Sequence, residues 1–164
     1  RKLFKAVIRQ HKIGWGGQPA NTPMIWSICE DLGVDYSQSV VLYQSTFFAD
    51  VFPEENKHFQ NVVFTGAVPN DRAASLLVMR EKMLSRADLS AAVFIGGMDG
   101  VETEHELFRR FHPAAKVLPV SSPGGAALNL AKDHGYFTGE ALVDVDFAQL
   151  FHAHLAVPLA GKLS

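Results

Sequence analysis

The sequence predicts an α/β fold: a Rossmann-like, mostly parallel sheet with helices on both faces. Three observations carry that expectation. Short apolar runs of strand length alternate with stretches of helical periodicity, the signature of repeated βα units. Three of these runs end in Gly-rich turns, in Ile13-Gly-Trp-Gly-Gly-Gln-Pro-Ala-Asn-Thr22, in Ala91-Ala-Val-Phe-Ile-Gly-Gly-Met-Asp-Gly100 and in Val117-Leu-Pro-Val-Ser-Ser-Pro-Gly-Gly-Ala126. At 164 residues, 48% hydrophobic and 20% charged, the chain is large and apolar enough for one domain with its own core, spanning 1–164.

The elements follow in order. Residues 2–10 read as a helix, with Leu3, Phe4, Val7 and Ile8 on one face. Because the chain opens at Arg1 inside that pattern, the first strand, and a further domain, are expected before it. Residues 12–15 form a strand entering the Gly16-Gly17 turn, and Thr22 is expected as the N-cap of a helix with Pro23 at its first position. That helix carries Met24, Ile25, Ile28 and Leu32 and stops at Gly33. Residues 39–43 form the second strand, residues 47–59 are irregular with a short helix after Pro53, and residues 61–65 form the third strand. Asn70 or Asp71 caps a long helix bearing Leu76, Leu77, Met79, Met83 and Leu84. Residues 91–95 are the fourth strand, followed by an acidic helix ending near His112 and Pro113. Residues 116–120 are the fifth strand, residues 126–132 a helix, and residues 146–155 a terminal helix.

Bulk properties exclude several function classes. A net charge of −2 gives no field to recruit nucleic acid or an anionic membrane. Cys29 is the sole cysteine, so no internal disulfide framework exists and a reducing, cytoplasmic location is expected. No apolar run reaches the length of a membrane span. No Gly-x-x-x-x-Gly-Lys-Ser/Thr motif and no Gly-x-Ser-x-Gly context around Ser121 and Ser122 are present, which disfavours a P-loop NTPase and a serine hydrolase. The histidines do not show zinc-ligand spacing, and no metal is expected.

The Gly-rich turns carry the functional reading. Glycine lets backbone N–H groups approach a ligand, and a helix N-terminus favours negative charge, which is how α/β proteins hold phosphates and nucleotides. Any one such turn could be a structural βα corner. Three of them at the carboxyl ends of parallel strands are expected to converge on one edge. The residues assigned to this ligand site are Gly16, Gly17, Gln18 and Thr22; Gln44, just after the second strand; Arg80; Gly96, Gly97, Met98, Asp99, Gly100, Val101 and Glu104; and Ser121, Ser122, Gly124 and Gly125. Glu102, Glu104 and Glu106 suit the first turns of a helix, and their alternate spacing keeps all three from facing one ligand. Glu104 could act as an acid/base or bind ribose hydroxyls, and Arg80 could pair with a phosphate or with Glu104. Trp15 and Trp26 could stack on a base, although core packing is the ordinary role of both.

At these residues the chain resembles the SLOG superfamily, which groups DprA/Smf and LOG-type Rossmann-like nucleotide-binding domains. LOG enzymes release a base from a nucleoside 5′-monophosphate, using a helical Arg-Lys segment and Pro-Gly-Gly-x-Gly-Thr-x-Glu-Glu. Arg80 and Ile95-Gly-Gly-Met-Asp-Gly-Val-Glu-Thr-Glu104 match those positions, which makes Arg80 and Glu104 the catalytic pair in an alternative, phosphoribohydrolase reading. Here Ile95 replaces the proline, Val101 replaces the threonine, the loop is one residue longer and the Glu pair is split, so no catalytic residues are expected. The chain is also similar to the STALD branch, SLOG domains associated with TIR or sirtuin-like NADase domains. The carriers are Gly16-Gly-Gln-Pro-Ala-Asn-Thr-Pro23, with Gln18 in place of histidine, Phe-Ile-Gly-Gly-Met-Asp-Gly-Val, and the late Pro-Val-Ser-Ser-Pro-Gly-Gly-Ala-Ala segment. The resemblance covers most of the chain. It implies a sensor of NAD-derived or related nucleotides, such as ADP-ribose or cyclic ADP-ribose isomers, that controls a fused or associated TIR or sirtuin-like effector in bacterial antiphage defence. No further cofactor is required, and a homo-oligomer without nucleic-acid or membrane partners is expected.

Overall fold

The computed structural model describes residues 2–8, 11–17, 19, 21–97, 99–120 and 125–136. The terminal helix expected at 146–155 lies outside the described residues. The chain divides into two compact units, Arg1–Met83 and Leu84–Ser164. Both are α/β, with short parallel sheets flanked by helices, in line with the Rossmann-like expectation.

In the first unit, α1 (Lys2–Val7), β1 (Ile13–Gly16), α2 (Thr22–Leu32), β2 (Val40–Ser45), β3 (Asn61–Thr65) and α3 (Arg72–Leu84, whose last residue begins the second unit) follow in chain order. The strands form a parallel sheet in the order β1-β2-β3, with Trp15 opposite Leu42 and Tyr43 opposite Val63. Strand residues alternate between faces. Trp15 and Leu42 belong to an apolar core with Phe4, Ile8, Ile25, Ile28, Cys29, Val40 and Phe59. Burial pushes the Cys29 thiol pKa up, helped by nearby Glu30. The opposite face of β1 carries only Gly14 and Gly16, and the α3 side chains of Met79 and Met83 lie over that bare backbone. Methionine is suited to such a shallow gap because its unbranched chain conforms to it.

Several element ends differ from the sequence reading. Asn21, not Thr22, is the N-cap of α2, and Thr22 is a fully buried first-turn residue beside Pro23. Asp71 caps α3 through a 2.8 Å bond from the Ala74 N–H to its Oδ1, while Asn70 takes a left-handed φ of 57°. β2 runs on through Gln44 and Ser45. The short helix expected after Pro53 is a 3-10 helix, Glu54–His58, and the stretch before it, expected to be irregular, holds another, Thr46–Val51. Thr46 Oγ1 donates to the Thr65 carbonyl at 3.1 Å, which ties Thr46–Val51 to the end of β3.

The second unit contains β4 (Ala91–Ile95), α4 (Asp99–Phe111), β5 (Lys116–Val120) and α5 (Gly125–Asp133). β4 and β5 pair in parallel, Phe94 opposite Pro119. Phe94, Leu107, Phe108, Leu118, Val120, Ala127 and Leu130 are buried. α4 begins at Asp99, so Gly100 lies inside its first turn rather than before it. No helix among the described residues is long and apolar enough to cross a membrane.

Candidate functional site

In the second unit, two of the Gly-rich turns meet. Gly96 and Gly97 follow β4 with φ values of 60° and 84°, and Gly125 opens α5 at 69°. These are left-handed conformations that glycine adopts without the steric cost other residues bear. The Ala126 N–H donates to the Gly97 carbonyl at 3.1 Å, and the Ala127 N–H donates to the Gly96 carbonyl at 3.0 Å. A Cβ on Gly125 would lie 2.7 Å from the Gly97 oxygen, closer than real contacts allow. Two first-turn donors of α5, the Ala126 and Ala127 N–H groups, are thus occupied by protein carbonyls. Among the described residues, α4 starts two residues beyond Gly97, and a helix start favours an anion. Val101 fills the space over Gly97: a Cβ there would fall 2.2 Å from Val101 Cγ2.

Along α4, Glu104 is half-buried, whereas Glu102 and Glu106 are exposed, as their alternate spacing requires. Buried His105, the next residue, faces inward. Its Nε2 lies 2.5 Å from the Tyr136 hydroxyl, and its ring contacts Phe94 edge-on and His134 at 4.6 Å. Burial, then the charges of His134 and Arg109, hold the His105 pKa below its ordinary value. Burial also raises the pKa of Tyr136. His112 Nε2 lies 2.7 Å from the Leu84 carbonyl at the end of α3. Both histidines are thus engaged with protein groups of the second unit.

In the first unit, the carboxyl ends of the strands carry Gly17, Gln44, Ser45 and Thr65. The Gly17 N–H donates to the Tyr43 carbonyl at 2.8 Å, which carries the β1–β2 ladder one residue beyond β1. The Gln44 side chain lies across Gly17, where a Cβ would stand 1.9 Å from Gln44 Nε2 and 2.9 Å from Leu42 Cδ1. Gln44 is only 3% exposed, and among the described residues its Nε2 is buried with no hydrogen-bond partner. Arg80 is half-buried on α3, one residue from the Met79 that covers Gly16. Trp15 packs against Phe4 in a T-shaped contact, and Trp26 stacks on His58 at 4.5 Å. The assigned residues Gln18, Met98, Ser121, Ser122 and Gly124 lie outside the described residues, as does any account of the Asp99 side chain.

The chain matches the SLOG cluster3 family over residues 1–155. It belongs to that family. No curated protein and no solved structure matches it. For this SLOG cluster3 chain, the family match spans every described element of both units. Sequence reasoning missed three features of the SLOG chain. Asn56 is buried with neither end of its amide paired among the described residues, Trp15 Nε1 is likewise buried and unpaired, and His105 contacts Tyr136. None has a local sequence signature, because each depends on packing against residues distant in the chain.

Proposed function

We propose that this SLOG cluster3 chain is a sensor of an NAD-derived or related nucleotide, of the ADP-ribose or cyclic ADP-ribose type. Binding would regulate a fused or associated TIR or sirtuin-like effector, in antiphage defence in the cytoplasm, with the chain acting as a homo-oligomer. The observation that carries the reading is the meeting of Gly96, Gly97 and Gly125, three left-handed glycines, where the Ala126 and Ala127 N–H groups donate to the Gly97 and Gly96 carbonyls just before α4. Left-handed glycines in succession form backbone concavities of the kind that hold phosphates. Family membership supports a nucleotide-related function.

Sensing is favoured over hydrolysis by the character of the groups. Backbone donors bind an anion without accurate acid/base placement, whereas misplacing a catalytic group by about 1 Å can cost roughly a hundredfold in rate. The split of the Glu pair into Glu102 and Glu104 leaves one of them exposed. Calorimetric titration with NAD, ADP-ribose, its cyclic isomers and AMP tests the proposal. One of these should bind with micromolar or better affinity and lose binding in Gly97→Val. Absence of binding to every member of the panel would reject it.

A further inference from the structure

We propose that β3 pairs with the β3 of a second copy of this chain, antiparallel across a twofold axis through Val63, so that two sheets join into one. The proposal rests on the homo-oligomer reading above and gives it a surface, and it does not depend on which nucleotide binds. β3 is the last strand of its sheet, in the order β1-β2-β3, and its five residues pair with β2 on one side. Among the described residues no backbone hydrogen bond leaves its outer side. Such an edge is a template for another strand, and proteins blunt it with lysine, proline or a bulge. β3 reads Asn61-Val-Val-Phe-Thr65, with no charge and no proline. The edge is apolar as well as open. Phe64 is 56% exposed, its ring lies 5.8 Å from that of Phe52, and Val51, next to Phe52, is 59% exposed.

The order of residues along the strand selects the occupant. In an antiparallel pair centred on Val63, Asn61 stands opposite the partner's Thr65, Val62 opposite the partner's Phe64, and Val63 opposite the partner's Val63. Polar meets polar, aromatic meets β-branched, and no charge meets a like charge. Aromatic and β-branched residues opposed in this way stabilise a strand pair. Val62 and Phe64 share one face of the strand, so the favourable pair occurs on both sides of the axis, with the two Phe64 residues diagonal neighbours about 7–8 Å apart. A second copy therefore matches this edge at all five positions.

Analytical ultracentrifugation of the full chain tests the proposal, with Phe64→Lys and Phe64→Glu as variants. Phe64 is more than half exposed, so either change should leave the fold intact. The wild type should sediment at about twice the 18.0 kDa chain mass. Each variant alone should sediment as a single chain, because like charges then approach across the axis, and an equal mixture of the two should recover the dimer mass. Val63→Cys, a smaller change, keeps the test decisive if the charged variants do not fold. Mild oxidation should link two copies of it, since opposed residues of antiparallel strands lie within disulfide range. The wild type should not link, because Cys29, its sole cysteine, is fully buried. A wild type of single-chain mass overturns the inference and the homo-oligomer reading together. A dimer that survives both Phe64 changes, a mixture that stays at single-chain mass, or a folded Val63→Cys chain that does not link overturns the inference alone.

Discussion

Gly125 stands directly against Gly97: the Gly97 carbonyl accepts the Ala126 N–H at 3.1 Å, and the hydrogen in place of a Gly125 side chain is what allows the approach. The start of α5 is thereby fixed to the turn that leads into α4. A change at Gly125 should therefore act on the turn itself. Gly125→Ala combines a left-handed φ of 69° with a clash against backbone, which cannot rotate aside as a side chain can. It should lower stability by about 1–3 kcal/mol and weaken nucleotide binding together with it, as measured by chemical denaturation and titration.

Gly97 tests a different balance. Gly97→Ala meets both a φ of 84° and the Val101 methyl. The double variant Gly97→Ala/Val101→Ala removes the methyl but keeps the backbone strain. Denaturation of the two variants should show part of the loss restored in the double variant, leaving roughly 1 kcal/mol of strain. Equal instability in both would mean that Val101 is not the obstacle.

Gly16 and Gly17 should behave oppositely although they are adjacent. A Cβ on Gly16 meets Met79 Cε at 3.4 Å and Met83 atoms at 3.6 and 3.7 Å, ordinary contacts, so Gly16→Ala should change stability by less than about 1 kcal/mol. Gly17→Ala must displace the Gln44 amide and crowd Leu42, so it should lower stability more than Gly16→Ala does. Parallel chemical denaturation of the two variants checks this.

The sequence was informative wherever short-range chemistry decides structure. Residues 61–65, 91–95 and 116–120 were expected as strands and are β3, β4 and β5, because each is a mainly apolar run bounded by turn residues. Gly96 and Gly97 were expected to form a tight turn, and both take positive φ. The 3-10 helices at Val34–Ser39, Thr46–Val51 and Glu54–His58 were only partly legible, since turns this short leave little hydrophobic periodicity. The contact of Gly125 with Gly97 and that of His105 with Tyr136 join residues 28 and 31 positions apart. Such pairings are set by how strands and helices pack, which no local pattern encodes.

His105 gives the fold a pH dependence of definite sign. Burial lowers its pKa below the ordinary 6.5, so the unfolded chain takes up a proton more readily than the folded one. Its contribution is fully present above about 6.5 and is lost as pH falls from there toward the lower folded value. Glu106 opposes the shift, while His134 and Arg109 reinforce it. His105→Gln, which can still bond to Tyr136 but does not titrate, should flatten the decline in melting temperature below pH 6.5. An unchanged decline would place the titrating group elsewhere.

The central claim is that this SLOG cluster3 chain holds a nucleotide intact. Native mass spectrometry of the protein incubated with ADP-ribose, its cyclic isomers and AMP, with the small molecules analysed afterwards, tests it most directly. The expected result is one compound retained on the folded protein at its original mass, with no free base accumulating and with retention lost in Gly97→Val. Multiple turnovers of base release, abolished in Glu104→Gln, would contradict the account and establish an enzyme instead.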